Sequence, residues 1–565
     1  MTRFRKLSMT LMLLTATTLA GVAVALAGPG GIPGPNSDAP GQVKKANGPT
    51  INTTDGPVQG FVENGVNKFL GIPFAAPPVG DLRWKPPAPP AHHALLDATE
   101  FASSCPQVTE LGAFAGPATI DEDCLYLNVF TTGSGSGKPV VVWIHGGGNV
   151  DGETADYDGS KLATGGPLGV PTVVVSVNYR LGLFGFLSES HLNAEGHPWG
   201  NYGILDQQAA LRWVKANIAN FGGDPTRVLL GGQSAGASDT GANMVSPGAA
   251  GLFNRALPQS GPGPGAFTSG ATALTRGNNF AAAASCSTSA CLRAMSAARV
   301  LQLQGTPNAN GPYVAGPLVD GTIIPMQAKV AWDTGAYNKM PILAGRVRDE
   351  STFGQSIRIY FSGPPQVSLT AAQYAANNSP AVLAVYPLAN YGGDAEYATD
   401  RVSTDRGSCS SHQVLKAQAT TNTGFGIYAY DFNYQNTPYY FPQLPNALSP
   451  TGHFRPFAYH TADIQFVFPK WHGGNLGVNL DQTSGQPREL QGSEVTLSDQ
   501  IVGAWTRFAA TGNPNGPGLP TWPVFTTASP AYLQQDISSA TLNETQYRTN
   551  NHCDFWDPQI TFPTT

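Results

Sequence analysis

Two short runs in the first third of the chain restrict its fold more than any other feature. Pro139–His145 reads PVVVWIH and Pro171–Val177 reads PTVVVSV. Each is continuously apolar and largely β-branched, with Gly or Pro at its borders, so neither face suits contact with water. Such runs fit strands buried on both sides, as in a mostly parallel sheet covered by helices. The segment Ile204–Phe221 (ILDQQAALRWVKANIANF) supplies the partner pattern, with apolar residues at helical spacing and a stop at Gly222-Gly223. Shorter strand-like runs stand at Val58–Val62, Leu125–Phe130, Val228–Leu230, Pro341–Ala344 and Ile427–Phe432. Helical patterns recur at Ala235–Val245 and Ser493–Ala510. Strands alternating with helices over this length argue for an α/β class.

Composition removes the competing classes. Of 565 residues 66 are Gly and 47 Pro, and 12% are charged against 41% hydrophobic. There is ample apolar material for a core, no Gly-x-y period for collagen, and too little Glu and Lys for a coiled coil. The net charge of −6 offers no basic surface for nucleic acid. Length alone would allow three or four domains. The stretch Ser260–Pro312, rich in Gly, Ser, Ala and Pro, reads as loops and a lid.

The N-terminus and the cysteines indicate the compartment. Arg3, Arg5 and Lys6 precede an apolar run from Leu7 to Leu26, and Ala25 and Ala27 are the small residues a cleavage site needs. Residues 1–27 are therefore expected to be a signal peptide, 28–48 a flexible tether, and 49–565 the folded part of the chain. No other stretch approaches the length of a membrane span, so no stable membrane insertion of the mature chain is expected. The six cysteines Cys105, Cys124, Cys286, Cys291, Cys409 and Cys553 all follow the cut. An even count in an exported chain suggests disulfides, although spacing alone allows several connectivities. With no Cys-x-x-Cys and scattered histidines, zinc is the poorer reading.

Chemistry enters at Gly232-Gln233-Ser234-Ala235-Gly236, which follows an apolar strand and precedes a helix. A serine on that sharp turn is exposed as a nucleophile, and glycine on either side removes Cβ atoms that would clash. The helix start offers N–H groups and a positive dipole end to an oxyanion. The bland alternative is a tight turn without chemistry. His145-Gly146-Gly147-Gly148 ends the strongest apolar run and has the form of an oxyanion loop, which would make Gly147, Gly148 and Ala235 the N–H donors. No Gly-Lys-Ser/Thr follows, so a phosphate loop fits poorly. The acid and base should follow the serine in the order acid, then His. Five histidines lie beyond Ser234: His412, His453, His460, His472 and His552. His460, between an aromatic and an apolar segment, ranks first. Asp349 and Glu350, beyond the end of the strand PILAG, stand close together as acids, because active sites of open α/β sheets lie at that edge.

Taken together, these motifs resemble the type B carboxylesterase family, which includes cholinesterases, liver carboxylesterases, fungal lipases and para-nitrobenzyl esterases. The resemblance is carried by FGGDPTRVLLGGQSAG (Phe221–Gly236) and EDCLYLNVF (Glu122–Phe130). FLGIPFAAPPVGDLRW (Phe69–Trp84), VNYRLGLFGFL (Val177–Leu187), GNYGILDQQAALRWV (Gly200–Val214) and CDFW (Cys553–Trp556) support it. It implies a single α/β-hydrolase domain: a large, mostly parallel sheet flanked by helices, with loop and helical insertions over the active site. It also implies hydrolysis of a small carboxylic ester with neither metal nor cofactor. Ser234 then corresponds to the nucleophile, Glu350 to the acid and His460 to the base. The cysteines take the pairing Cys105–Cys124, Cys286–Cys291 and Cys409–Cys553. A lipase or a hydrolase of polyester or toxin esters would use the same machinery. Adhesion-type relatives that have lost catalysis typically lack the serine, which is present here.

Four positions depart from the family pattern. Gln233 stands where Glu is usual, Ser351 replaces a Gly after the acid, and Asn149 stands where an aromatic is common after the glycines. The Cys105–Cys124 loop contains no Trp, which argues against a choline ester specialist, since that residue binds the ammonium by cation–π attraction. Asn52, Asn377 and Asn543 open Asn-x-Ser/Thr sequons.

Overall fold

The two valine-rich runs become strands Lys138–Ile144 and Val173–Val177, paired in parallel with Val141 opposite Val174, and every residue of both is buried. The computed structural model describes residues 46–108, 117–133, 135–261, 266–305, 315–361, 368–440, 448–449, 452–469, 471 and 479–564. These residues belong to one compact unit. The expected signal peptide lies outside them. The first strand begins at Ala46, slightly before the expected end of the tether at residue 48.

Among the described residues thirteen strands make the main sheet: β1 (Ala46–Thr53), β2 (Gly56–Glu63), β3 (Val66–Pro73), β4 (Leu96–Asp97), β5 (Tyr126–Thr132), β6 (Lys138–Ile144), β7 (Val173–Val177), β8 (Gly223–Gln233), β9 (Arg255–Gln259), β10 (Ile342–Val347), β11 (Ile427–Phe432), β12 (Ala531–Gln535) and β13 (Ala540–Asn543). They lie in the order β1-β2-β3-β5-β7-β6-β8-β9-β10-β11-β12-β13, with β4 beside β2. Pairing is parallel from β7 through β12 and antiparallel at both flanks, apart from the short β2–β4 pair. The strand period of two divides the central residues between two cores. Val140, Val142, Ile144, Val173, Val175 and Leu230 face one, and Val141, Trp143, Val174, Leu229 and Leu343 face the other. Each such side chain contributes roughly 1.5–3 kcal/mol on burial. Sequence reading and structure therefore agree on a mostly parallel α/β sheet.

The helices used below are α1 (Tyr202–Asn217), α2 (Ala235–Val245), α3 (Gly270–Ala283), α4 (Ser289–Ala294), α5 (Ala297–Gln304), α6 (Thr352–Phe361), α7 (Ala395–Thr421) and α8 (Ser493–Thr511). Helix α8 covers one face through Trp505, whose ring lies 6.0 Å from Trp143 of β6. Helices α3 to α5 correct the expectation of loops across Ser260–Pro312. Alanine is the strongest helix former, and Ser269, Thr288 and Ser296 each accept the amide of the residue three positions on, so the small residues form capped helices. Residues 262–265 and 306–314 lie outside the description. Cys105 bonds Cys124, Cys286 bonds Cys291 and Cys409 bonds Cys553, the pairing the resemblance implies.

Candidate active site

Strand β8 delivers Ser234 to the C-terminal edge of the sheet, and α2 begins at the next residue. Ser234 has φ 59° and ψ −118°, a conformation that costs a non-glycine residue on the order of 1–3 kcal/mol. Neighbouring backbone holds it there. The Ser234 N–H donates to Gln259 O at 3.0 Å, and its carbonyl accepts from Ala237 and Ser238 at 3.1 Å. The two flanking glycines are sterically required. A Cβ on Gly232 would lie 2.5 Å from Gly236 O, and one on Gly236 would lie 2.1 Å from Ile144 O.

Strand β6 ends at Ile144, and the glycine run turns against this elbow. A Cβ on Gly146 would stand 3.2 Å from Ser234 Cβ, so the two turns are in close contact. Gly147, Gly148 and Asn149 all have positive φ, at 107°, 62° and 59°. The Gly147 carbonyl accepts from Val150 and Asp151 at 3.0 and 2.9 Å, which fixes the loop by its carbonyl side. Asn149 is buried and donates to Asp239 Oδ1 of α2 at 3.2 Å, tying the glycine loop to the helix that begins after Ser234. His145 is a packing residue: its ring stacks on Tyr179 at 4.6 Å, and burial lowers its pKa to about 4.

Glu350 and His460 meet although 110 positions separate them. His460 Nδ1 lies 2.5 Å from Glu350 Oε2, with the glutamate side chain 6% and the imidazole 18% exposed. Burial alone would raise the Glu350 pKa, but Arg346, with Nε 3.5 Å from Oε1, and His460 hold it down at about 2. The carboxylate also accepts from the Val347 N–H at 3.2 Å. A carboxylate at Nδ1 fixes the tautomer that leaves Nε2 as an acceptor. Nε2 is met by Gln233 Nε2 at 3.2 Å, and no hydrogen bond joins Ser234 Oγ to His460 among the described residues.

Asp349, the other candidate acid, is fully buried and does different work. Its Oδ2 accepts from Ala458 N at 3.1 Å and Gln435 at 2.7 Å, and its own N–H donates to Ala458 O at 2.9 Å. It thereby pins the backbone just before His460, and Arg401 stands 3.5 Å from its Oδ1. Burial raises its pKa even against Arg401. Ser351 is anchored by α7, its N–H donating to Asp400 Oδ1 at 2.9 Å and to Thr404 Oγ1 at 3.2 Å. The other histidines stand elsewhere. His412 pairs with Tyr532 and Glu544, and His552 pairs with Asp405. The side chains of His453 and His472 lie outside the described residues.

A pocket of about 420 Å³ opens beside Gln233 and Gly147, walled by Tyr157, Phe353, Tyr440 and Trp471. It also contains Asp156, which sequence reasoning missed. Burial, together with the nearby Glu153 charge, raises its pKa to about 8, so at neutral pH it is largely an uncharged acid. Only the fold carries this signal, since Asp156 matches no motif. A larger apolar cavity of about 700 Å³ runs along α2 past Met244, Phe267, Trp332 and Leu415. Among the described residues the one cluster of metal-ligand type is Cys409, Cys553 and Asp557, and its two cysteines are joined as a disulfide.

The chain matches the Carboxylesterase family over residues 47–556. It is 34% identical over 544 residues to the acylcarnitine hydrolase of Mus musculus, covering 88% of this chain and 90% of the relative. It is 33% identical over 502 residues to the para-nitrobenzyl esterase of Bacillus subtilis (strain 168), covering 84% and 92%. It is 35% identical over 492 residues to the fumonisin B1 esterase of Sphingopyxis macrogoltabida, covering 84% of each. A solved structure of a thermophilic PNB esterase superposes with a TM-score of 0.69 at 29% identity, covering 89% of this chain and 99% of that one. With the α/β-hydrolase sheet, the strained Ser234 turn and this likeness over nearly the whole described chain, the protein belongs to the type B carboxylesterase family of carboxylic ester hydrolases.

Proposed function

We propose that the chain is a secreted serine carboxylesterase in which Ser234 is the nucleophile, His460 the general base and Glu350 the acid that orients it. Gly147, Gly148 and Ala235 supply the oxyanion N–H groups. The observation that carries this reading is the 2.5 Å contact of His460 Nδ1 with Glu350, formed at the sheet edge where β8 turns at Ser234.

His460 Nε2 takes the Ser234 proton as Oγ adds to the ester carbonyl, and the backbone N–H groups stabilise the oxyanion. The alcohol departs with the proton from His460, leaving an acyl-serine. Water, deprotonated by the same imidazole, adds to that acyl group; the acid is released and Ser234 regains its proton. Glu350 remains ionised throughout and stabilises the imidazolium, in keeping with its low pKa. Catalytic hydrogen bonds of unliganded sites are commonly long and tighten in the substrate complex, which accommodates the present separation of Ser234 and His460. The three disulfides support an oxidising compartment and hence export.

Hydrolysis of a p-nitrophenyl ester by wild type and Ser234→Ala tests the reading, and full retention of activity in the variant defeats it. A series of p-nitrophenyl esters of rising acyl length, with an emulsified triglyceride alongside, tests the substrate class. Preference for the emulsion would identify a lipase.

A further inference from the structure

The residue before the nucleophile sits on the base. Gln233 is 1% exposed, and its side-chain amide nitrogen lies 3.2 Å from His460 Nε2. Because His460 Nδ1 faces the Glu350 carboxylate at 2.5 Å, Nδ1 carries the proton and Nε2 presents a lone pair. An amide N–H pointed at that lone pair stabilises the neutral ring, and it opposes the imidazolium, whose Nε2–H would face another N–H. The lone pair that Ser234 must reach is thus already taken.

We infer that Gln233 is a positioning residue for His460, holding the imidazole neutral and its Nε2 engaged until substrate brings Ser234 Oγ to it. This rests on the proposed role of His460 as the base. A carboxylate at this place would favour only the charged ring. Among the described residues, Glu350 at Nδ1, Arg346 behind it, Asp463 on the following turn, and Asp156, Tyr157 and Tyr440 across the pocket are other charged or titratable groups around the ring. All remain in place in a variant at Gln233.

The test is the pH dependence of kcat/KM for a p-nitrophenyl ester in wild type, Gln233→Met and Gln233→Glu, with Ser234→Ala as control. Hydrogen bonding to the neutral form disfavours the charged one, and a carboxylate within about 4–6 Å favours it by about 1–3 pH units. The acid limb is therefore expected to lie lowest in wild type, higher in Gln233→Met, and highest in Gln233→Glu by about 1 unit or more. Gln233→Met keeps the test open should the glutamate variant fold poorly, and a purely structural role would lower activity without moving the limb. An acid limb at the same pH in wild type and the folded variants overturns the inference while leaving the Ser234 reading intact. Activity surviving in Ser234→Ala overturns that reading instead.

Discussion

Among the described residues four histidines contact a glutamate, and two of these pairs, His460–Glu350 and His412–Glu544, look alike and differ in surroundings. At the sheet edge the partly exposed His460 meets Glu350 through Nδ1, and its Nε2 faces Gln233 beside the Ser234 turn. On α7, His412 is buried, and Nδ1 meets the Tyr532 hydroxyl at 2.8 Å and Nε2 meets Glu544 at 3.1 Å. Both of its nitrogens are committed to packing partners, and Tyr547 and Phe525 enclose the ring. The charges differ as well. Glu350 is held near pKa 2 by Arg346 and His460, whereas burial lowers the pKa of His412 despite Glu544. A His–Glu contact thus has no fixed meaning. Chemistry requires the second nitrogen to face a reactive site, and stability is served when both nitrogens are satisfied.

The comparison breaks most sharply at Ser234, the proposed nucleophile. Ser234→Ala should lower kcat/KM for a short p-nitrophenyl ester by about 10⁴-fold or more, whereas His412→Gln should leave kcat within about twofold. Next, Glu350→Gln should cost about 10³-fold in kcat, because the amide favours the wrong tautomer of His460. Asp349→Asn should remain within about tenfold and lower the melting temperature, since Asp349 holds backbone and Arg401 rather than the imidazole. The reverse order would reassign the acid.

Smaller effects lie on the α7 side and are read as stability. Cys409, one turn before His412, joins Cys553 across 144 positions, against 5 for Cys286–Cys291. Loop-closure entropy makes the long crosslink worth about 5 kcal/mol and the short one about 2 kcal/mol. Denaturant titration of the two double-serine variants should show that order. His412→Gln should cost about 1–3 kcal/mol through unsatisfied buried partners.

The pH dependence completes the contrast. His412 has a depressed folded pKa, so its contribution to stability is present above the unfolded value of about 6.5 and declines as pH falls below it. Glu350, also depressed, contributes above the unfolded carboxylate value of about 4.3 and loses this as pH falls through about 2. Chemical denaturation at pH 7 and pH 5 should therefore show a change in stability that differs between wild type and His412→Gln by the small loss His412 contributes, on top of the separate contributions of His145 and Asp156, and that Glu350→Gln leaves as in wild type.

Local chemistry made part of this legible. Runs of β-branched residues bounded by Gly and Pro favour buried strands, and a Gly-x-Ser-x-Gly between an apolar strand and a helix favours a sharp turn, so the central strands and the turn at Ser234 could be read directly. The helices α3 to α5 were hidden because Ala, Ser and Gly serve loops and short capped helices alike. Choosing Glu350 over Asp349 needed the family resemblance, because neighbouring carboxylates carry no local mark of which will face a ring 110 positions away.

The sequence by itself determined the central strands and the sharp turn at Ser234, since these follow from side-chain shape and backbone geometry within a few residues. Only the tertiary structure decided that Glu350 faces His460 while Asp349 holds the His460 loop, that Asn149 braces the glycine run against Asp239, that Asp156 enters the pocket and that Gln233 meets His460 Nε2. Those outcomes depend on burial and on partners distant along the chain, which shift pKa values and hydrogen bonds only after the strands have been brought together.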